Sequence, residues 1–287
     1  MINRAWIFLT PAIIVMSLCA LLPLIIIINY SIQDSFAGDH FYWVGLRWFE
    51  EISRSPEFWE AVLRTLIFSV MVIPLQFIIG IFVARKLFMK HQNPSFFIVL
   101  FSVPMLTPWL VVGFVWRLMM DPIYGPLSNA IQQAGITPDL NEVGWAWLTI
   151  IIMDIWHWTG LIIVITFAGY LSISKSHFQA ARIDGASPWS TFRYVEIPKL
   201  RKVLIIALLL RFMDCFMIYI EPFMITRGGP NVATSFLSLE LIQTASIQFD
   251  LGKAGAISVF YLLVMITICW FLFRAMDLNS QPARSKT

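Results

Sequence analysis

The sequence predicts an all-α, polytopic membrane protein. It has six transmembrane helices, a cytoplasmic helix-turn-helix loop over about 171–201, both termini cytoplasmic, and a single domain over 1–287. Three observations predict it. Hydrophobic residues make up 59% of the chain and charged residues 13%, with mean hydropathy +0.76, whereas a soluble domain carries about 25% charged residues. Apolar runs of the roughly 20 residues needed to cross a bilayer recur six times. Basic residues gather in alternate connections, as the positive-inside rule requires.

The spans fall at about 6–28, 61–84, 96–116, 145–168, 203–223 and 254–273. The first is too long for a signal-peptide core and lacks a small-residue cleavage pattern, so it is expected to be retained. Between the first two, residues 29–60 are rich in aromatics and acids (Phe41, Tyr42, Trp43, Trp48, Glu50, Glu51). That composition suits an amphipathic segment lying along the membrane surface. The third span contains Pro104 and Pro108, each lacking a backbone donor, which predicts a kink or break with Thr107 placed to satisfy a freed carbonyl. Residues 117–144 form a connection with a short helix over 127–133. Cys19, Cys215 and Cys269 lie inside spans, where they act as small apolar packing residues and build no disulfide framework.

Placing both termini inside puts Arg4, Arg85, Lys86, Lys90, Lys175, Arg182, Arg193, Lys199, Arg201, Lys202, Arg274, Arg284 and Lys286 in the cytoplasm. Arg47, Arg54, Arg117, Arg227 and Lys253 fall outside. This topology accounts for the small net charge of +3 and gives no reason to invoke nucleic acid.

The polar stretch 177–200 interrupts this pattern on the cytoplasmic side. Residues 176–184 contain no helix breaker, Gly185 suits a left-handed C′ position, and Ser187-Pro188 reads as an N-cap followed by an N1 proline. The expected form is helix, tight turn, helix. Ala180, Ala181 and Ala186 keep the knuckle thin enough for a partner's groove to close around it, and Arg182, Asp184 and Arg193 place charge at its edges.

Ala180-Ala181, Asp184-Gly185-Ala186 and Ile197-Pro198 together resemble the cytoplasmic coupling loop of permease subunits in binding-protein-dependent ABC importers. Gln179 departs from that pattern, which usually has Glu. Farther on, Arg227-Gly228-Gly229-Pro230, Thr234 and Phe249-Asp250-Leu251-Gly252 resemble the sugar and polyol permeases of the maltose and glycerol-phosphate type. The resemblance covers roughly the C-terminal half; the N-terminal half agrees in its pattern of spans. It implies a transport subunit of the bacterial inner membrane that moves a sugar or polyol delivered by an extracytoplasmic solute-binding protein. It further implies a second homologous permease and two ATPase subunits, with ATP and Mg bound on those ATPases, no cofactor or metal on this chain, and coupling through Gln179, Ala180, Ala181, Asp184, Gly185, Ala186, Ile197 and Pro198. The residues agree that this chain is not the ATPase: Gly252-Lys253 is followed by Ala254 and has no upstream glycine of a phosphate loop. No HExxH, GxSxG or cysteine-histidine cluster occurs either.

Ionisable groups within spans are costly and mark paths or seams. Asp154 and His157 share a helix face beside Trp156 and Trp158. They suit either a carbohydrate path, with aromatic rings against sugar faces, or a local pair packed on a neighbouring helix. Arg211, Asp214, Ile218 and Glu221, at steps of three, four and three, form one helical stripe. The stripe suits a translocation path or a salt-bridged seam against the second permease. Arg211 is the one central cation and Asp214 is near enough to neutralise it, which favours a neutral sugar or polyol over a phosphate ester. Two other classes fit less well: a gradient-driven transporter using Asp154, His157 and Glu221 as a proton relay, and a membrane scaffold.

Overall fold

The computed structural model describes residues 5–36, 40–90 and 93–277. Arg4, Arg284 and Lys286 of the charge reading lie outside the described residues. The described residues are helical apart from one two-stranded hairpin and the connections. They form two compact units: residues up to Ala61 with Glu240–Ile268, and Val62–Leu239 with residues from Cys269 onward.

In the first unit, helix α1 (Ala5–Ser31) turns almost all its described side chains outward, Met16 and Ile25 among them. Strands β1 (Gln33–Phe36) and β2 (His40–Trp43) follow, pairing antiparallel from Gln33 opposite Trp43 to Phe36 opposite His40. Helix α2 (Arg47–Arg54) buries Trp48 and Ile52 and exposes its charges, so the expected short amphipathic segment is found there. The β-hairpin before it was not expected, because runs of four residues carry too little alternation to register. Trp48 Nε1 donates to the Gln33 carbonyl at 3.0 Å and fixes the hairpin on α2.

Helix α3 (Pro56–Lys90), which starts in the first unit and enters the second at Val62, is 35 residues long and covers the second predicted span. The third span is broken. Helices α4 (Pro94–Leu106) and α5 (Trp109–Met119) meet at 88°. Pro108 lacks an amide donor and pushes Thr107 into extended backbone (φ −78°, ψ 131°). The Thr107 amide then bonds the Pro104 carbonyl, and its hydroxyl donates to Val103, each at 3.0 Å. Helix α6 (Pro126–Gln133) matches the short helix expected over 127–133. Helix α7 (Val143–Leu171) is the hub of this unit: Ile150, Met153, Phe68 and Phe236 share one buried cluster, and Ile163, Phe167, Tyr170 and Leu200 another. At Gly160 the α4 backbone comes so close that a Cβ would lie 2.2 Å from the Phe101 carbonyl oxygen. Small residues permit such close packing in a membrane, where lipid is as apolar as leucine and helices associate through packing and polar contacts.

Helices α8 (Lys175–Ile183) and α9 (Pro188–Thr191), a π-helical turn over Phe192–Glu196, and α10 (Ile197–Phe216) come next. The fifth predicted span, 203–223, requires correction. Helix α10 ends at Phe216, and the chain restarts as α11 (Ile220–Ile225). Pro222 cannot supply the amide that would bond the Ile218 carbonyl in a continuous helix; the Ser238 hydroxyl, on α12 (Leu237–Ile242), takes that carbonyl instead. The four-residue stripe is therefore divided, with Arg211 and Asp214 on α10, Ile218 in the break and Glu221 on α11.

The last helix, α13 (Leu251–Asp277), starts in the first unit. Asp250 Oδ1 accepts the Lys253 amide at 3.0 Å, an N-cap bond. Gly252 packs where a Cβ would lie 2.2 Å from the Gln33 carbonyl oxygen. The Asp250-Leu251-Gly252 motif thus has a local structural reason. Among the described residues, four helices are long and apolar enough to cross a membrane, or five with the bent pair counted as one.

Candidate functional site: a polar hairpin and a buried charge cluster

The polar hairpin has the form its residues predict, built by local bonds. Ser174 caps α8 by accepting the Ser176 amide. At the other end the Ala186 amide bonds the Ala181 carbonyl at 2.9 Å and the Gly185 amide bonds Arg182 at 3.1 Å, a Schellman closure. It requires Gly185 to sit at φ +68°. Ser187 Oγ accepts the Ser190 amide at 3.1 Å and Pro188 occupies N1 of the return helix.

Of the coupling residues, Gln179, Ala180, Asp184, Gly185, Ala186 and Pro198 are exposed, Ile197 is half-buried and Ala181 is buried. Ala181 corrects the expectation of a three-alanine outer surface: it faces inward, and Ala180 and Ala186 alone keep the surface thin. The sequence reading missed the large apolar side chains on the outer face of the hairpin, Ile183 (85% exposed), Trp189 (70%) and Tyr194 (76%).

The reading also missed Glu196. Its carboxylate is fully buried and takes two bonds from Arg85 on α3, Nε to Oε2 at 2.7 Å and Nη2 to Oε1 at 3.0 Å, and a third from Tyr170 Oη on α7 at 2.8 Å. A lone acid between Val195 and Ile197, at the entry to an apolar run, is the only signal the sequence offers for it.

The second cluster lies inside the helix bundle. Arg211, fully buried, donates from Nη2 to both oxygens of Asp154 (2.8 and 2.6 Å), from Nε to Gln76 Oε1 (2.8 Å) and from Nη1 to Asp214. Gln76 Nε2 returns a bond to Asp154 Oδ2 at 2.8 Å. The guanidinium also lies over the Trp158 ring, 4.9 Å from its centroid. Gln76, a neutral residue on α3, was not anticipated, yet it closes the network.

His157 is buried, and neither ring nitrogen has a hydrogen-bond partner among the described residues; Nδ1 lies 4.0 Å from Glu221 Oε1. Trp156 turns the other way. It is 46% exposed and packs edge-on against Trp116 at 6.1 Å, on an apolar groove of about 450 Å³. Of the two tryptophans expected beside Asp154 and His157, Trp158 lies at the cluster and Trp156 does not. With Trp109, whose ring centroid is 6.2 Å away, Trp158 walls a narrow cleft completed by Asp154, Asp214, Met217, Ile218 and Glu221. The cleft has a volume of about 10 Å³, room for about one water molecule, so in this conformation it is closed to a sugar. Chemically it offers two aromatic faces and three carboxylates, and Arg211, bonded to Asp154 and Asp214 of its wall, is engaged.

The model of the family described as "Binding-protein-dependent transport system inner membrane component" matches residues 43–284. The probable ABC transporter permease protein y4oQ of Sinorhizobium fredii is 31% identical over 284 residues, 95% of this chain and 91% of that protein. The trehalose/maltose transport system permease protein MalF of Thermococcus litoralis is 29% identical over 231 residues, 79% of this chain and 78% of that protein. A solved bacterial ABC transporter involved in the import of the acidic polysaccharide alginate superposes with a TM-score of 0.81 at 17% identity, over 97% of this chain and 100% of that one. The likeness to that structure is one of fold.

Proposed function

The chain belongs to the family of binding-protein-dependent transport system inner membrane components, and from that premise we propose that it is one transmembrane subunit of an ATP-driven importer for a neutral sugar or polyol. The observation that carries this reading is the Schellman-closed hairpin at Gly185, which presents Gln179, Ala180 and Asp184 beside exposed Ile183, Trp189 and Tyr194. In this reading both termini and the hairpin face the cytoplasm, the chain crosses the inner membrane six times, and α10 with α11 supplies the broken fifth crossing. The hairpin docks on one of two ATPase subunits, which bind ATP and Mg; a second permease completes the path; a solute-binding protein delivers the solute from outside.

Energy reaches the path because docking differs in free energy between the two orientations of the helices. A contact equal in both would shift no equilibrium. The proposed solute class is supported by the relatives' names, trehalose/maltose transport among them, and by the cleft. Aromatic faces at Trp109 and Trp158 and carboxylates at Asp214 and Glu221 suit hydroxyl-rich, uncharged ligands. Arg211 is engaged by Asp154, Asp214 and Gln76, which compensates its charge and disfavours a phosphate ligand.

The test is affinity purification of the tagged full chain from its native membrane in mild detergent, with co-purifying chains identified by mass spectrometry. An ATPase and a second permease are expected. A chain recovered without any ATPase would overturn the reading and move the weight to gradient-driven transport.

A further inference from the structure

The hairpin's two limbs run directly into α7 and α10, so a push at its tip reaches those helices through the chain itself. Helix α3 has no such covalent connection. Phe88 of α3 packs on Phe178 of the outgoing limb α8, ring centroids 5.7 Å apart, and the return limb is held by Arg85. Its guanidinium donates to the Pro188 carbonyl at 3.0 Å, lies 5.2 Å over the Phe192 ring and holds Glu196 by two bonds. Residues 188, 192 and 196 are four apart and line one side of the return limb, so a single planar fork grips about two turns of it.

The register that makes this possible is local. Pro198 cannot donate to the Tyr194 carbonyl, and the helix instead takes a π-turn in which the Ile197 amide bonds Phe192. That wider turn sets Glu196 inward, where Tyr170 Oη on α7 binds the same oxygen as Arg85 Nε.

We propose that the Arg85–Glu196 pair, backed by Tyr170, is the positioning element that carries displacement of the cytoplasmic hairpin to α3, and through Gln76 on the same helix to the Asp154–Arg211 cluster beside the cleft. Gln76 and Arg85 stand nine residues apart on α3, so a rigid α3 moves both together. The proposal rests on the ATPase-coupled reading above. It adds a lateral route that neither the hairpin residues nor the chain connectivity supplies.

The experiment uses the full complex in nanodiscs, with Cys19, Cys215 and Cys269 replaced by Ala and Ile218→Cys placed in the cleft wall. The readout is the rate at which a small water-soluble thiosulfonate modifies that cysteine in Mg-ATP compared with ADP, measured beside the ATP hydrolysis rate. With the pair intact, Mg-ATP is expected to raise the modification rate at least tenfold. Glu196→Gln is expected to abolish that difference while the complex keeps its ATPase and goes on hydrolysing ATP, and the exchange Arg85→Glu with Glu196→Arg to restore part of it. A merely structural role would lower assembly and hydrolysis together and would not separate the two readouts. Should Glu196→Gln fail to assemble, Tyr170→Phe, which removes one bond to the same carboxylate, carries the test with an expected two- to fivefold loss. An undiminished ATP-dependent difference in an assembled Glu196→Gln complex, or in Tyr170→Phe where that variant carries the test, overturns the proposal. Absence of an ATPase from the wild-type complex, or no ATP dependence in it, overturns the underlying transport reading instead.

Discussion

Arg211 on α10 grips Asp154 on α7 through Nη2, 2.6 and 2.8 Å from the two carboxylate oxygens, with neither side chain more than 2% exposed. Removing one partner of a fully buried pair leaves an uncompensated charge, at a cost of about 3–5 kcal/mol, whereas replacing both by apolar residues is often neutral. Arg211→Met alone is expected to lower the thermal unfolding midpoint of the detergent-solubilised protein strongly, as is Asp154→Leu alone. The double variant should recover most of the loss. Strict additivity in this double-mutant cycle would show that the pair does not act as a unit.

How far the sequence foretold this arrangement depends on the range of the interaction. The hairpin was legible because its parts are neighbours: Ser174, Gly185, Ser187 and Pro188 each act within five residues of themselves. Pro104 and Pro108 announced the break between α4 and α5 for the same reason. The partners of the buried charges were not legible, since Gln76 stands 78 residues from Asp154, Arg85 stands 111 from Glu196, and Gln76 stands 135 from Arg211. A neutral Gln76 in an apolar span raises no signal in a hydropathy scan. Pro222 was visible, but its effect on the fifth span depended on Ser238, supplied by a later segment to take the freed Ile218 carbonyl. Periodicity therefore drew a single stripe through Arg211, Asp214, Ile218 and Glu221 where the chain has two helices.

Gly185 separates conformation from contact. A Cβ there would meet nothing within 4 Å, so its φ of +68° is the only obstacle to a side chain. An L-residue in this region costs about 1–2 kcal/mol, with Asn the best tolerated. Gly185→Val is expected to open the Schellman turn and uncouple ATP hydrolysis from uptake, and Gly185→Asn to stay near wild type. Wild-type coupling in Gly185→Val would remove the turn from the mechanism.

Gln179 stands, exposed, one helical turn from the tip of α8. A carboxylate there would offer a partner cation a charge-assisted bond roughly twice as strong as the neutral amide's. Gln179→Glu is expected to keep or raise the amount of ATPase retained through stringent washing, with the advantage shrinking as salt is raised. Complete loss of transport in that variant would contradict docking at this position.

Trp189 and Tyr194 give the docking surface its energetic test. Both project from the return limb, 70% and 76% exposed, so truncating them removes little packing from the chain itself. Trp and Tyr are also the residue types that dominate protein interfaces, where truncation of a central one costs about 2 kcal/mol or more, about a 30-fold loss in affinity. Trp189→Ala is expected to leave the unfolding midpoint of the isolated chain within the error of measurement and to weaken ATPase capture by about that factor. Tyr194→Ala should act in the same direction. If both variants retained the ATPase as well as wild type, the contact would be confined to the limb from Gln179 to Ala186, and the return limb would serve only to anchor the hairpin through Glu196.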